Sequence, residues 1–485
     1  MRKARRYAGR RTLWKVTGDN ACKGCGRALM DPSFGVLAAQ TAAGTSVMLG
    51  LMRCARIWFC PVCSATIRHK RAEEITLAVV EWIKRGGICF MVTFTARHGH
   101  ADRLADLMDA IQGTRKTATT TRKPGAYQRL ITGSTWAGSK GRDDRRDNPG
   151  IRGRVGYVGM IRATEVTVGT VNLWHPHIHA IVFVGGRTEG ERSEKRIVEV
   201  FTPPESALTE LEDHFRAVWT RALKQVNTEY EPSRKHGVDF KRLKTEQDAQ
   251  DLGKYIAKLQ EGAKSINPAN ELARGDLKEG RHGNMTPFQV LYRIGDLIGG
   301  VAEEDADGTG SLEWCLARWH EYEPAVSGRR AIEWTRFLRS MLGITGGDTE
   351  EDDKDLLLEV DGESEFRAGV QITEEGWEAV ARRGLDLAAI EAAEGKDGNT
   401  DPDAVTARVR QVLVLAGVPD AVVPLTAGEV AEAYAVMLDS LKQRREEAAS
   451  RRRREAEQDQ ARATDKVSLR HAARDARRNL SRLTR

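Results

Sequence analysis

The sequence predicts an α+β chain: an antiparallel sheet with flanking helices, a cysteine-rich module before it and a helical region after it. Three observations predict this. Short runs rich in strand formers stand at 88–95, 155–168 and 175–184, and the last two are close enough to pair as an antiparallel hairpin. Amphipathic helical spacings lie between and after these runs. Two Cys-x-x-Cys pairs fall within the first 63 residues. A length of 485 residues exceeds one ordinary core. Composition divides it into a zinc-binding module over 1–70, a sheet domain over 71–300, a helical extension over 301–345, an acidic linker over 346–369 and a helical region with a basic tail over 370–485.

Taken in order, residues 1–70 have little core of their own. Residues 72–85 carry Ile75, Val79, Trp82 and Ile83 on one helical face, and Gly86-Gly87 ends that helix. Ile88 to Thr95 reads as a strand and Leu104 to Ile111 as a helix. Lys123 to Gly150 is rich in Gly, Arg and Asp and reads as a long loop. Val155 to Val168 is the second strand region, and the chain turns over Gly169 to Trp174 into the third. Leu208 to Val226 is an amphipathic helix, Val238 to Lys241 a short strand, and Thr245 to Leu259 a helix opening on a Thr-x-x-Asp capping pattern. Residues 310–343 read as helical and Trp-rich, with Trp314, Trp319 and Trp334. Residues 370–450 have helical patterning.

Composition is that of a globular protein with polar extensions, 40% hydrophobic and 30% charged. No apolar run approaches a membrane span, and no apolar core follows the basic residues of the first fifteen positions. A cytoplasmic location without membrane association is therefore expected. The net charge of +7 is unevenly spread. Residues 451–485 hold twelve Lys and Arg against five Asp and Glu, while 348–365 holds ten acids and one Lys. Basic segments on a near-neutral body point to a polyanion, most simply nucleic acid.

The seven cysteines are Cys22, Cys25, Cys54, Cys60, Cys63, Cys89 and Cys315. An odd count with Cys-x-x-Cys pairs favours metal over disulfides. Cys22-x-x-Cys25 and Cys60-Pro61-Val62-Cys63 could place four thiolates on one structural Zn²⁺, with Cys54 a fifth candidate able to replace Cys22. Such an ion would fold a segment too small to hold itself together.

His175-Pro176-His177-Ile178-His179 runs straight into Ala180-Ile181-Val182-Phe183-Val184. Side chains alternate along a strand, so His177 and His179 share a face and Ile178 points the other way. Three of only eleven histidines lie within five residues, which argues against chance placement. Two imidazoles are half of a divalent-metal site, and Glu165 on the preceding strand is the expected third ligand. A carboxylate with two imidazoles and open positions suits Mg²⁺ or Mn²⁺ bound together with a phosphate. His175 could be a ligand, an orienting neighbour or a turn residue, and a non-ligand role is favoured.

Further on, Leu252, Ile256 and Leu259 form the buried stripe of a helix, with Tyr255 beside it and Asp251 one turn earlier. Lys254 and Lys258 flank the same region. Alone, this pattern reads as a packing tyrosine. Beside a metal site, a phenol held near lysines can attack a phosphodiester.

These pieces, in this order, resemble the rolling-circle replication initiator (Rep) proteins of actinobacterial plasmids, within the HUH endonuclease superfamily. The match is carried by Phe90-Met-Val-Thr-Phe-Thr95, His177-Ile178-His179 and Tyr255-Ile-Ala-Lys258. Supporting stretches are Cys54 to Cys63 with Arg71, Thr286-Pro-Phe-Gln-Val-Leu291 and Trp319 to Arg330. Together they cover roughly residues 20–345. The resemblance implies an HUH-like fold and a nickase acting on plasmid origin DNA, single-stranded or hairpin. Tyr255 attacks the scissile phosphate and stays joined to the 5′ end, and the freed 3′ hydroxyl primes synthesis by host polymerase, with a host helicase as a further partner. His177, His179 and Glu165 would hold the metal, and Lys258 or Lys254 would stabilise charge. A carboxylate one turn before the tyrosine activates water in one branch of the family. Asp251 stands there instead of the usual glutamate, one methylene shorter, and an early-helix acid favoured by the dipole is an equal reading.

Three other functions compete. An HUH mobilisation relaxase or transposase shares the histidine and tyrosine motifs. A histidine-triad nucleotide hydrolase would use the alternating His175, His177 and His179 without metal. A non-catalytic zinc-dependent DNA-binding regulator would retain the fold alone.

Overall fold

The computed structural model describes residues 2–41, 45–115, 121–141, 147–169, 172–191, 195–243, 284–302, 310–347, 349–362, 365–394, 399, 401–444 and a few positions between 446 and 455. They form two compact units, residues 1–25 with 53–360 and residues 26–52 with 361–485. These cut across the boundaries expected from composition.

The first unit is built on a five-stranded antiparallel sheet. Its strands are β3 (Ile88–Thr95), β4 (Gly159–Val168), β5 (Trp174–Val184), β8 (Val238–Leu243) and β9 (Ile332–Trp334), in the order β8-β3-β5-β4-β9. A ribbon of β6 (Gly186–Glu189) and β7 (Arg196–Val200) follows β5. The expected hairpin is the centre of the sheet: β4 and β5 pair from Gly159↔Phe183 to Val168↔Trp174.

Alternation along β5 divides its side chains between two cores. Ile178, Ala180, Val182 and Val184 join one with Phe94, Phe215 and Trp219, under the helices Leu104–Gln112, Glu205–Val226 and Leu312–Val326. There the Phe94 ring lies 5.0 Å from Trp219 and 6.0 Å from Phe215. Ile181 and Phe183 join the other, beneath the helix Pro61–Lys84, with Ile75, Val79 and Trp82. Trp82 is fully buried and donates its indole N–H to the Val184 carbonyl at 3.1 Å. Truncating it to Ala would cost about 3–5 kcal/mol. That helix covers the Phe183 end of its sheet face and leaves the histidine end to other groups.

Three expected features differ. The Pro61–Lys84 helix starts eleven residues before position 72, because Cys60 is its N-cap and Pro61 takes the first helical position, where a missing N–H costs nothing. Trp334 lies on edge strand β9 rather than on a helix; its ring packs in the second core, with the Arg339 guanidinium 4.2 Å above it. The acidic stretch is in part the helix Glu350–Gly362, not a solvated linker. Its Asp353 accepts from buried Arg71 at 2.6 Å, and Arg71 also bonds Glu74 at 3.0 Å, so the buried guanidinium is matched by carboxylates.

The second unit is a four-stranded antiparallel sheet in the order β11-β10-β1-β2: β1 (Val36–Thr41), β2 (Ser46–Leu49), β10 (Phe366–Ile372) and β11 (Val422–Thr426). The C-terminal region is therefore not all helical. Its helices Glu374–Arg382, Asp386–Glu394, Pro402–Ala416 and 427–444 accompany two strands. Val430, Tyr434 and Met437, spaced for one helical face, pack on Leu37, Ala39 and Leu49. Gln40 donates to the Glu394 carbonyl at 2.7 Å and Ser46 to that of Ile390 at 2.6 Å, and Arg444 pairs with Asp31. Residues 26–52, expected to lie within the N-terminal module, thus belong to the C-terminal sheet. Their legs pair back to the root, Met52 N–H to Ala28 O and Gly26 N–H to Met52 O, both at 2.8 Å. Among the described residues no helix is long and apolar enough to cross a membrane.

Candidate metal centre

The β4–β5 register sets Glu165 opposite His177 and Ala163 opposite His179, and the β3–β5 register sets Thr93 opposite His179 and Thr95 opposite His177. These residues share one sheet face. Before the histidine strand, Gly169 N–H bonds the Leu173 carbonyl at 2.8 Å, and Leu173 takes φ +48°. A Cβ on Gly169 would lie 2.0 Å from the Asn284 side chain.

The imidazoles converge on one carboxylate oxygen. His177 Nε2 lies 2.8 Å and His179 Nε2 3.3 Å from Glu165 Oε2. Glu165 and His179 are buried, and His177 is the partly exposed member. The Thr93 hydroxyl lies 3.1 Å from His179 Nδ1. With Nδ1–H donating to that hydroxyl, the Nε2 lone pair is left for a ligand. The ligand atoms of Glu165, His177 and His179 all lie within 4.8 Å of one another. A carboxylate this buried needs a compensating cation, and two imidazole nitrogens with one carboxylate are a fitting donor set for a divalent ion.

His175 lies outside this group. Its Nδ1 is 3.1 Å from His98 Nε2, and His98 Nδ1 is 3.1 Å from the Ala96 carbonyl. A carbonyl only accepts, so His98 carries its proton on Nδ1 and its Nε2 accepts from His175 Nδ1–H. Burial, and then the neighbouring His177 and His98, lower the His175 pKa to about 3, so the ring is neutral.

The cysteine cluster is a second candidate metal group in the same unit. Cys25, Cys54, Cys60 and Cys63 are buried, with ligand atoms mutually within 4.8 Å. Cys25 Sγ lies 3.7 Å from Cys60 Sγ and 3.5 Å from Cys63 Sγ, and Cys54 Sγ lies 3.8 Å from Cys63 Sγ. Cys22 is buried but falls outside the four, so Cys54 takes the place that the Cys-x-x-Cys spacing offers to Cys22. Hydrogen bonds from Cys54, Cys60 and Cys63 hold the Cys25 thiol well below its ordinary range, while burial pushes Cys54 and Cys60 well above theirs. Four buried thiolates need a cation, and a tetrahedral sulfur-binding ion such as Zn²⁺ fits the set.

Tyr255, Asp251, Lys254 and Lys258 lie outside the described residues. The described chain leaves the sheet at Leu243 on β8 and returns at Asn284, where Met285 bridges Val168 at the end of β4. Sequence reasoning did not single out Thr93 or His98. Thr93 and Thr95 alternate within the Phe90–Thr95 stretch, which puts two hydroxyls on the histidine face; that was the available signal for Thr93. Nothing in the local pattern marks His98, which stands three residues beyond β3.

Two curated relatives match most of the chain. "Protein rep" of Streptomyces lividans is 68% identical over 418 residues, spanning 86% of this chain and 91% of that protein. "Neomycin resistance protein" of Streptomyces cyanogenus is 45% identical over 448 residues, spanning 88% of this chain and 98% of that protein. No family model matches, and no solved structure matches. With identity of this degree along most of both chains, the protein belongs to the family of the Streptomyces Rep protein.

Proposed function

We propose that this protein initiates rolling-circle replication of a plasmid, cutting one strand at the double-strand origin and remaining joined to the 5′ end. The relative named Rep supports the plasmid replication role. The observation that carries the nicking chemistry is the convergence of His177 and His179 on Glu165, together with the HUH and tyrosine motifs. A carboxylate between the imidazoles favours a metal site over a histidine nucleophile, and so disfavours the histidine-triad reading.

A Mg²⁺ or Mn²⁺ ion held by Glu165, His177 and His179 would polarise the scissile phosphate oxygen. Thr93 keeps the His179 ring turned toward that position. Tyr255 loses its phenolic proton and its oxygen attacks phosphorus. The bond from phosphorus to the 3′ oxygen breaks, and that oxygen takes up a proton to become the primer hydroxyl for host polymerase, with a host helicase opening the duplex. Lys254 or Lys258 offsets charge building on the phosphate, and Asp251 is the candidate to activate water when the cycle closes. Zn²⁺ in the cysteine cluster has a structural role.

The test uses a single-stranded origin oligonucleotide, the full chain and Mg²⁺ or Mn²⁺. Wild type should form a covalent adduct whose mass spectrum names Tyr255, and Tyr255→Phe should form none. Persistence of the adduct in Tyr255→Phe would overturn the assignment. Footprinting without cleavage would favour the non-catalytic regulator.

A further inference from the structure

Resting on the nicking function proposed above, we infer that a groove between the Glu205–Val226 helix and the turn 228–238 holds the sugar–phosphate backbone of one DNA strand next to the cut. The groove encloses about 750 Å³ and is lined by Arg216, Thr220, Arg221, Lys224, Ser233 and Arg234, with Asp213 and Glu231 the acidic members. Its volume lies in the range of ordinary ligand sites.

Arg216 pairs with Glu212 at 2.5 Å along its own helix, and Lys224 pairs with Glu231 at 2.9 Å. Arg221 and Arg234 line the groove, are exposed and form no ion pair among the described residues; Lys235 beside them is in the same state. Two unneutralised cations in the groove, with exposed Lys235 next to Arg234 in sequence, fit a chain of phosphates, and hydroxyls from Thr220 and Ser233 suit the same ligand.

The turn is closely packed: Gly237 N–H bonds the Ser233 carbonyl at 2.7 Å, and a Cβ on Gly237 would lie 2.6 Å from that of Pro232. It is tied to the end of β3, where Thr95 N–H donates to Gly237 O at 2.9 Å and the Thr95 hydroxyl donates to His236 O at 2.8 Å. The buried Trp219 indole, on the groove's helix, donates to Thr95 O at 2.8 Å. Thr95 is the register partner of His177. The groove therefore ends at the rim of the sheet, beside the β3 position that pairs with His177; its helix packs on the face opposite the histidines, so a strand lying in the groove would pass over this rim to reach Glu165, His177 and His179.

The experiment measures binding of full-length protein to single-stranded DNA across salt concentrations, reading Kd directly so that it needs no cleavage. Arg221→Ala with Arg234→Ala should weaken binding at least about tenfold and lower the slope of log K against log salt by about 1.4, since each phosphate contact on a single strand contributes about 0.7. Arg221→Lys with Arg234→Lys should restore most of the slope. Arg367→Ala with Arg410→Ala removes the same charge from exposed sites in the second unit and should leave the slope near wild type. Equal slopes for wild type and the groove pair, or no single-strand binding by wild type, would overturn the groove. A groove pair that loses slope in a protein forming no tyrosine adduct would leave the groove standing and remove the nicking function.

Discussion

The first unit carries two candidate metal groups, and they are built in opposite ways. Glu165, His177 and His179 sit on adjacent antiparallel strands, so the backbone ladder holds their spacing. Cys25, Cys54, Cys60 and Cys63 come from a helix end, a loop and the start of another helix. The carboxylate and imidazoles already meet at one oxygen, Glu165 Oε2, whereas the thiols are hydrogen-bonded weakly and at cross purposes. One group is positioned by the fold; the other positions the fold. Removing an ion should therefore disable the first and unravel the second.

The largest effect is expected at the cysteines. Cys63→Ser should cost about 3 kcal/mol or more, because a structural ion contributes its binding energy to folding. Thermal melting should shift down by at least about 6 °C; an unchanged Tm with metal lost would break the comparison. Glu165→Ala should leave Tm within about 3 °C but lower nicking about 10³-fold, as loss of a charge-stabilising centre does. Full activity in Glu165→Ala would remove the centre from the chemistry. Thr93→Val leaves all three ligands in place and frees His179 Nδ1, so calorimetry should show divalent-metal affinity falling about 10- to 100-fold. The smallest effect belongs to Cys22→Ser. With Cys22 outside the four, zinc content by native mass spectrometry should be unchanged and stability should move by under about 1 kcal/mol; loss of zinc would return Cys22 to the ligand set.

Much of the first group was legible because strand geometry is local. The alternation His177-Ile178-His179, an apolar run behind it and an acid on the strand before it were enough to expect the three side chains that the fold brings together. The second group was only partly legible. Spacing offered five cysteines, and choosing four of them depends on how far apart Cys22 and Cys54 lie from the others in space. The strands of the second unit escaped for a related reason. Val36-Leu-Ala-Ala-Gln-Thr41 and Phe366-Arg-Ala-Gly-Val-Gln-Ile372 are weak in strand formers, carry Ala and Gly, and become strands by pairing across more than 300 residues. The acidic helix Glu350–Gly362 was hidden because composition alone does not reveal that buried Arg71 requires Asp353.

The hairpin between Cys25 and Cys54 sets a limit on how this protein can be shortened. Cutting after residue 345 would keep the histidine strand and the cysteines, and would look like a minimal catalytic fragment. It would also strip β10 from β1, leaving six residues of strand with an unpaired hydrogen-bonding edge and the bare faces of Leu37, Ala39 and Leu49. Such an edge invites pairing with other molecules. The fragment should be prone to self-association unless residues 26–52 are replaced by a short polar turn joining the two cysteine positions.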